Sequence, residues 1–239
     1  LLPVGFLVFG SLWSSRPGRP GVITLGNYAE TFLRSAKVYE ILGTTVVYAL
    51  GAAILATGVA VVLSFIIART DTPLKGYFAY IPFVGFMTPY FVSTLAWIFL
   101  LMPKKGLINL LFNSILGFSP FNVYTLAGMV WVTGISLVPL AFTIMLGAFK
   151  SLDPSLEEAA RISGSRNLRT VLRVTLPLAL PSILSAFLLT FIVGMEVFSV
   201  PVMIGAPVRI DVFMSTIYES ISWSVPPEYG KGTSHSMLF

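Results

Sequence analysis

Long runs of apolar residues without charge dominate this chain and decide what it can fold into. Ile41 to Ala68 carries no Asp, Glu, Lys or Arg, and neither does Gly76 to Pro103 or Gly106 to Phe149, while Val174 to Val208 is interrupted only by Glu196. A helix needs about 20 consecutive apolar residues to cross the hydrocarbon core of a bilayer. Each of these runs meets that length. A soluble domain carries about 25% charged residues, whereas this chain has 10%, against 56% hydrophobic. A water-soluble globule of 239 residues lacks the polar surface to cover so much apolar side chain. The expected fold is therefore all-α, a polytopic membrane helix bundle.

The runs predict four complete spans. Ile41–Ala68 is the first and Gly76–Pro103 the second, the latter studded with Pro82 and Pro89. Gly106–Phe149 is too long for one span. Asn109, Asn113, Ser114, Gly117 and Pro120 mark its first part as a short interfacial helix and loop, so the third span runs from about Tyr124 to Phe149. The fourth runs from about Leu178 to Pro201. Residues 1–15 read as the end of a further span, and Tyr229–Phe239 as the approach to another, so the expectation is one transmembrane domain over 1–239, truncated at both ends. Small residues between Gly43 and Gly58 are expected to serve close helix packing. Pro82, Pro89, Pro139 and Pro181 either break helices around a ligand or kink packed ones.

Charge gives an orientation. Arg69, Lys75, Lys150, Arg161, Arg166, Arg169 and Arg173 fall in two loops, 69–76 and 150–177, on one side. The other side, with loops at about 13–39, 103–122 and 203–231, has a lower density of cations, so the first side is assigned to the cytoplasm. The net charge of +5 thus follows topology and implies no nucleic acid. Cysteine is absent and His235 is the single histidine, which excludes disulfide frameworks, thiol catalysis and any ordinary zinc site. No Gly-x4-Gly-Lys-Ser/Thr phosphate loop is present, so the chain itself is not expected to hydrolyse ATP or to be an enzyme.

One cytoplasmic segment, Ser151–Pro177, differs from the rest. Asp153-Pro154 is an N-cap and first-turn pair. Glu157 and Glu158 sit where a helix dipole favours anions, and Glu157 precedes Arg161 by the four residues that suit an ion pair. Leu156, Ala159, Ala160 and Ser163 form a stripe of mostly small side chains that lets another surface approach closely. Gly164 ends the helix. A second short helix follows, capped by Asn167, with Leu168, Val171 and Leu172 on one face and Arg166, Arg169 and Arg173 on another, suited to lie along the membrane surface. Pro177 and Pro181 then open the next span.

This segment resembles the EAA loop of ABC-importer permeases. Glu158-Ala159-Ala160, three residues, Gly164, nine residues, Val174, one residue, Leu176-Pro177 matches E-A-A-x3-G-x9-I-x-L-P with Val for Ile as its one departure. The resemblance implies a type I ABC importer transmembrane domain of the bacterial inner membrane. It further implies that Glu158, Ala159, Ala160, Gly164, Leu176 and Pro177 couple the chain to a separate ATPase dimer that uses ATP. A periplasmic solute-binding protein and a second permease half would complete the transporter. Ala68-Arg-Thr-Asp-Thr-Pro73 and Gly194–Pro201 with Ile204–Pro207 resemble the first half of fused ferric-iron permeases, which implies iron(III) as solute and a second EAA-type repeat downstream. Phosphonate and polyamine permeases are the alternatives within the class, and a self-sufficient secondary transporter is the alternative outside it. Glu196, the sole acidic residue in a predicted span, either lines the translocation pathway or sits at the outer interface paired with Arg209.

Overall fold

The computed structural model describes residues 2–15, 18–225 and 227–237. Its principal elements are α1 (Leu2–Leu12), α2 (Lys37–Arg69), α3 (Lys75–Met87), α4 (Tyr90–Leu101), α5 (Leu107–Leu116), α6 (Leu126–Ser151), α7 (Pro154–Ile162), α8 (Asn167–Glu196), α9 (Phe213–Tyr218) and α10 (Tyr229–Ser236). No β-strand occurs among the described residues, so the fold is all-α. The chain divides into two compact units. One comprises 1–48, 122–129 and 195–239, and the other 49–121 and 130–194.

In the second unit, burial sorts α2 by size. Ala49, Ala52, Ala53, Ala56 and Ala60 are fully buried, while Val62, Leu50 and Ile54 face outward. Water would reverse that arrangement, but lipid tails solvate bulky side chains and small ones let helices approach. Close approach is visible at two points: a Cβ on Gly51 would lie 3.1 Å from Val130, and one on Gly134 only 2.5 Å from Leu55. The expected packing role does not extend to Gly43 and Gly58, which face open space. Central to this unit is α6, with 56% of its apolar window buried against 33% for α2 and 17% for α8. Phe142, Met145 and Phe149 of α6 pack with Ala60, Ala179 and Ala186. Isolated hydroxyls are satisfied across the helices, Ser64 Oγ donating to the Phe142 carbonyl (3.3 Å) and Thr57 meeting Thr190 (3.4 Å).

The single span predicted over Gly76–Pro103 is instead two helices, α3 and α4, bent by 103°. Thr88 is extended (φ −89°, ψ 118°), as a residue before proline is driven to be. Pro89 has no N–H to continue the ladder. Thus Pro89 breaks its helix, whereas Pro139 and Pro181 lie inside continuous ones and Pro82 lies in the first turn of Ile81–Met87, the second segment of α3. Among the described residues three helices, α2, α6 and α8, are long and apolar enough to span a bilayer, and the bent pair makes a fourth span if counted as one. A cavity of about 180 Å³ beside the bend is lined by Thr88, Tyr90, Ser93, Ser136 and Pro139 among others. The expected short helix after the second span is α5. Its buried Asn109 donates to the Met102 and Phe121 carbonyls (2.9 and 2.8 Å) and accepts from Phe121 N–H (3.0 Å), closing the loop on itself.

In the first unit, Thr45 Oγ1 accepts from Phe213 N–H at 2.9 Å, and Phe213 packs with Val38 and Ile41. Tyr229–Phe239 does not open as an apolar span over its described part. Its α10 is polar, buries Gly232, Ser234 and His235, and packs along α1; Leu238 and Phe239 lie outside the described residues. His235 lies between Phe32 and Phe213, ring centroids 6.1 and 5.4 Å away, and its Nδ1 contacts the Lys231 carbonyl at 2.8 Å. Burial pushes this imidazole below its usual pKa.

Candidate functional site

The charged hairpin forms as its caps dictate. Asp153 Oδ1 accepts from Ser155 N–H at 2.9 Å and Pro154 occupies the first turn, so α7 starts where expected. That hydrogen bond holds the exposed Asp153 carboxyl below the ordinary carboxylate range. At the other end Gly164 is left-handed (φ +83°). Gly164 N–H donates to the Arg161 carbonyl (2.9 Å) and Ser165 N–H to that of Ala160 (3.0 Å). This pair of bonds is a Schellman cap, which calls for glycine at its left-handed residue. A Cβ there would meet no atom of this chain within 4 Å, so the constraint is conformational and not one of space.

Beyond the turn, three expectations need correction. The residue before the helix is Arg166, which offers no side-chain cap, so Asn167 is the first helical residue and not its cap. The second helix is not a separate surface element. It continues as α8 through a π-turn at Val171–Thr175 into the span, ending at Glu196. Pro177 therefore does not open the span but lies within it. A wider turn just ahead of proline relieves the clash between its ring and the carbonyl four residues back. Third, Glu157 does not pair with Arg161. Its Oε1 accepts from Thr175 Oγ1 at 2.9 Å and lies 3.7 Å from Arg69 Nε, while Arg69 Nη2 donates to the Leu152 carbonyl at 2.6 Å.

The motif residues divide between two jobs. Glu158 and Ala159 are exposed and Ala160 is half-buried on α7, with Gly164 at its cap. Leu176 packs against the α6 core, and Pro177 is exposed on α8. Around the first group the surface is unusually apolar for a charged loop: Leu156 is 46% exposed, Ile162 88% and Leu168 71%. Arg166, Arg169 and Arg173 line a groove of about 550 Å³ beside Gly164 with Leu168 and Leu172. An exposed apolar ridge next to a cationic groove, on a rigidly capped hairpin, is suited to seat another protein.

Glu196 lies apart from this hairpin in sequence, as the exposed last residue of α8. Among the described residues no ion pair joins it to Arg209, contrary to one expectation. Arg209 lines a pocket with Lys37, Asp211 and Glu219, where Lys37 and Asp211 pair at 2.9 Å. Burial, then the Asp211 charge, raises the Glu219 carboxyl above its usual range. Residues that sequence reading missed are Arg69 and Thr175, the true partners of Glu157. The available signal was an arginine closing a long apolar run directly before a short loop.

The family described as "Binding-protein-dependent transport system inner membrane component" matches residues 60–229. The ferric transport system permease protein FbpB of Actinobacillus pleuropneumoniae is 30% identical over 173 residues, covering 72% of this chain and 24% of that protein. The trehalose/maltose transport system permease protein MalG of Thermococcus litoralis is 29% identical over 143 residues, covering 58% of this chain and 49% of that protein. Thus the chain spans about a quarter of the length of its ferric relative and about half of the other. Among solved structures, a bacterial ABC transporter involved in import of the acidic polysaccharide alginate superposes with a TM-score of 0.78 at 15% identity. That match covers 98% of this chain and 83% of the other, and it establishes a shared fold.

Proposed function

The chain belongs to the family of binding-protein-dependent transport system inner membrane components, and from that premise we propose that it is the membrane-spanning permease part of an ATP-driven importer. In this reading residues 151–177 form the coupling loop. A separate ATPase dimer receives the α7 ridge in its cleft, with Glu158, Ala159 and Ala160 at the contact, Gly164 holding the turn, and Leu176 and Pro177 anchoring it to the span. A periplasmic binding protein delivers a small solute from the outer side, and a second permease half, in the same or another chain, completes the pathway. The protein resides as a multi-pass component of the bacterial inner membrane. Its work is transport and not catalysis, with ATP consumed by the partner.

The observation that carries this reading is the capped, solvent-facing hairpin whose apolar residues have no cover within the chain. Such a surface costs stability in isolation and makes sense against a partner. Iron(III) is the favoured solute, supported by the name of the ferric relative and by the motif resemblance. The test is affinity purification of the intact permease co-expressed with its ATPase subunit, followed by iron(III) uptake into proteoliposomes with the binding protein supplied. Retention of the ATPase subunit and ATP-dependent uptake are expected. A permease that retains no ATPase, or that transports without ATP, would overturn the reading in favour of a secondary transporter. Uptake of a phosphonate or polyamine in place of iron would correct the solute alone.

A further inference from the structure

We propose that Arg69 is a positioning residue that carries movement of the coupling hairpin into α2; this rests on the importer reading above. Arg69 is the last residue of α2, yet its side chain is only 8% exposed, and that of its partner Glu157 17%. Its guanidinium reaches two places at once, the Leu152 carbonyl at 2.6 Å and Glu157 at 3.7 Å. Leu152 directly precedes the Asp153 cap, and Glu157 lies in the first turn of α7. The same carboxylate accepts from Thr175, in the π-turn from which α8 enters the membrane. Three segments therefore converge on one ion pair: the end of α2, the start of the hairpin and the foot of α8.

A buried ion pair is a poor means of gaining stability, because desolvation offsets most of the attraction. It is a good means of holding direction. The planar fork of arginine can engage two acceptors in fixed geometry, which a lysine ammonium does not reproduce. Arg69 Nε is buried and makes no hydrogen bond, since 3.7 Å to Glu157 is too long for one. A hairpin shift of less than about 1 Å would bring that contact to hydrogen-bond length. In this proposal a movement of α7 that shortens the contact pulls directly on the end of α2. The plainer alternative is that the pair merely clamps the fold.

The two readings separate in a double variant. R69Q or E157Q alone strands a buried charge and should lower the melting temperature, whereas R69Q/E157Q removes both charges and should recover it. The glutamine side chain that R69Q introduces is too short to reach both Leu152 and position 157, so coupling should not recover with stability. The chain has no cysteine, so nitroxides can be placed at cysteines substituted for Ile54 on α2 and Leu188 on α8. In the intact permease bound to a cysteine-free ATPase subunit, ATP should change the spacing of these labels in the wild-type background and not in R69Q/E157Q. ATPase retention is read on the same samples. A wild-type response in the double variant would overturn the proposal, as would its failure to assemble, which would make the pair a folding element. An unresponsive wild type that holds its ATPase would also overturn it. Loss of ATPase from the wild type itself would instead sink the importer reading and this inference with it.

Discussion

Replacing Gly164 by valine isolates the conformational demand of the hairpin turn. At φ +83° glycine is unstrained, and nothing in the chain lies within 4 Å of a Cβ built there. The penalty therefore comes from backbone strain alone, roughly 1–2 kcal/mol for an L-residue in the left-handed region, and toward the upper end for a β-branched one. That amount is large beside the stability of α7, because a helix of nine residues is marginal by itself. The Schellman bonds from Gly164 and Ser165 to the Arg161 and Ala160 carbonyls should be the part that yields. An opening equilibrium shifted by 1–2 kcal/mol changes by roughly 5- to 30-fold. Hydrogen exchange of the Gly164 and Ser165 amides should accelerate by that factor, with no change in the spans and no change in membrane insertion. Uptake per ATP should fall in parallel. Asparagine tolerates the left-handed region far better, so Gly164→Asn should retain most protection. Equal damage from Asn and Val, or wild-type exchange in the valine variant, would refute the argument from φ.

Other positions yield sharp outcomes. A Cβ on Gly85 would sit 2.7 Å from Pro139 Cγ, a ring that cannot swing aside; Gly85→Ala should cost about 1–3 kcal/mol, measured as a drop in the detergent-solubilised melting temperature, and a neutral effect would mean that α3 and α6 part easily. His235 has a lowered folded pKa, so the unfolded chain binds its proton more readily. Its contribution is full above the usual imidazole value of 6.5 and is lost as pH falls through the lower folded value. Exchange protection of α10 should decline on acidification below pH about 6.5, and His235→Gln should abolish that decline.

The spans were legible because a charge-free run long enough to cross a membrane has few other uses. The hairpin was legible too, since Asp153-Pro154 and Gly164 are strong local signals with little tertiary competition. The failures share a cause. Prolines mark where a helix cannot follow its ideal ladder, but not which remedy the fold adopts. Pro89 ends a helix, while Pro177 is accommodated by a π-turn. Glu157 was given to Arg161 by a rule of local spacing, yet a partner far away in sequence took it. Contacts of that kind require knowledge of where chain segments return, and one sequence supplies none. The fourth span was expected to run to about Pro201, but its helix ends at Glu196 and leaves that carboxylate exposed.

The alanine face of α2 has a consequence for how this protein can change over time. In a water-soluble protein the interior demands bulk and the exterior tolerates almost any polar residue. Here Ala49, Ala52, Ala53, Ala56 and Ala60 occupy the interior, so a single added methyl group would have to push whole helices apart. Ile54 and Val62 face outward, and a lipid-facing position exchanges leucine, isoleucine, valine and phenylalanine at little cost. Drift among descendants of this chain should therefore be faster at Ile54 and Val62 than at these five alanines. Along this alanine face the strictest requirement falls on the smallest side chains and not on the largest.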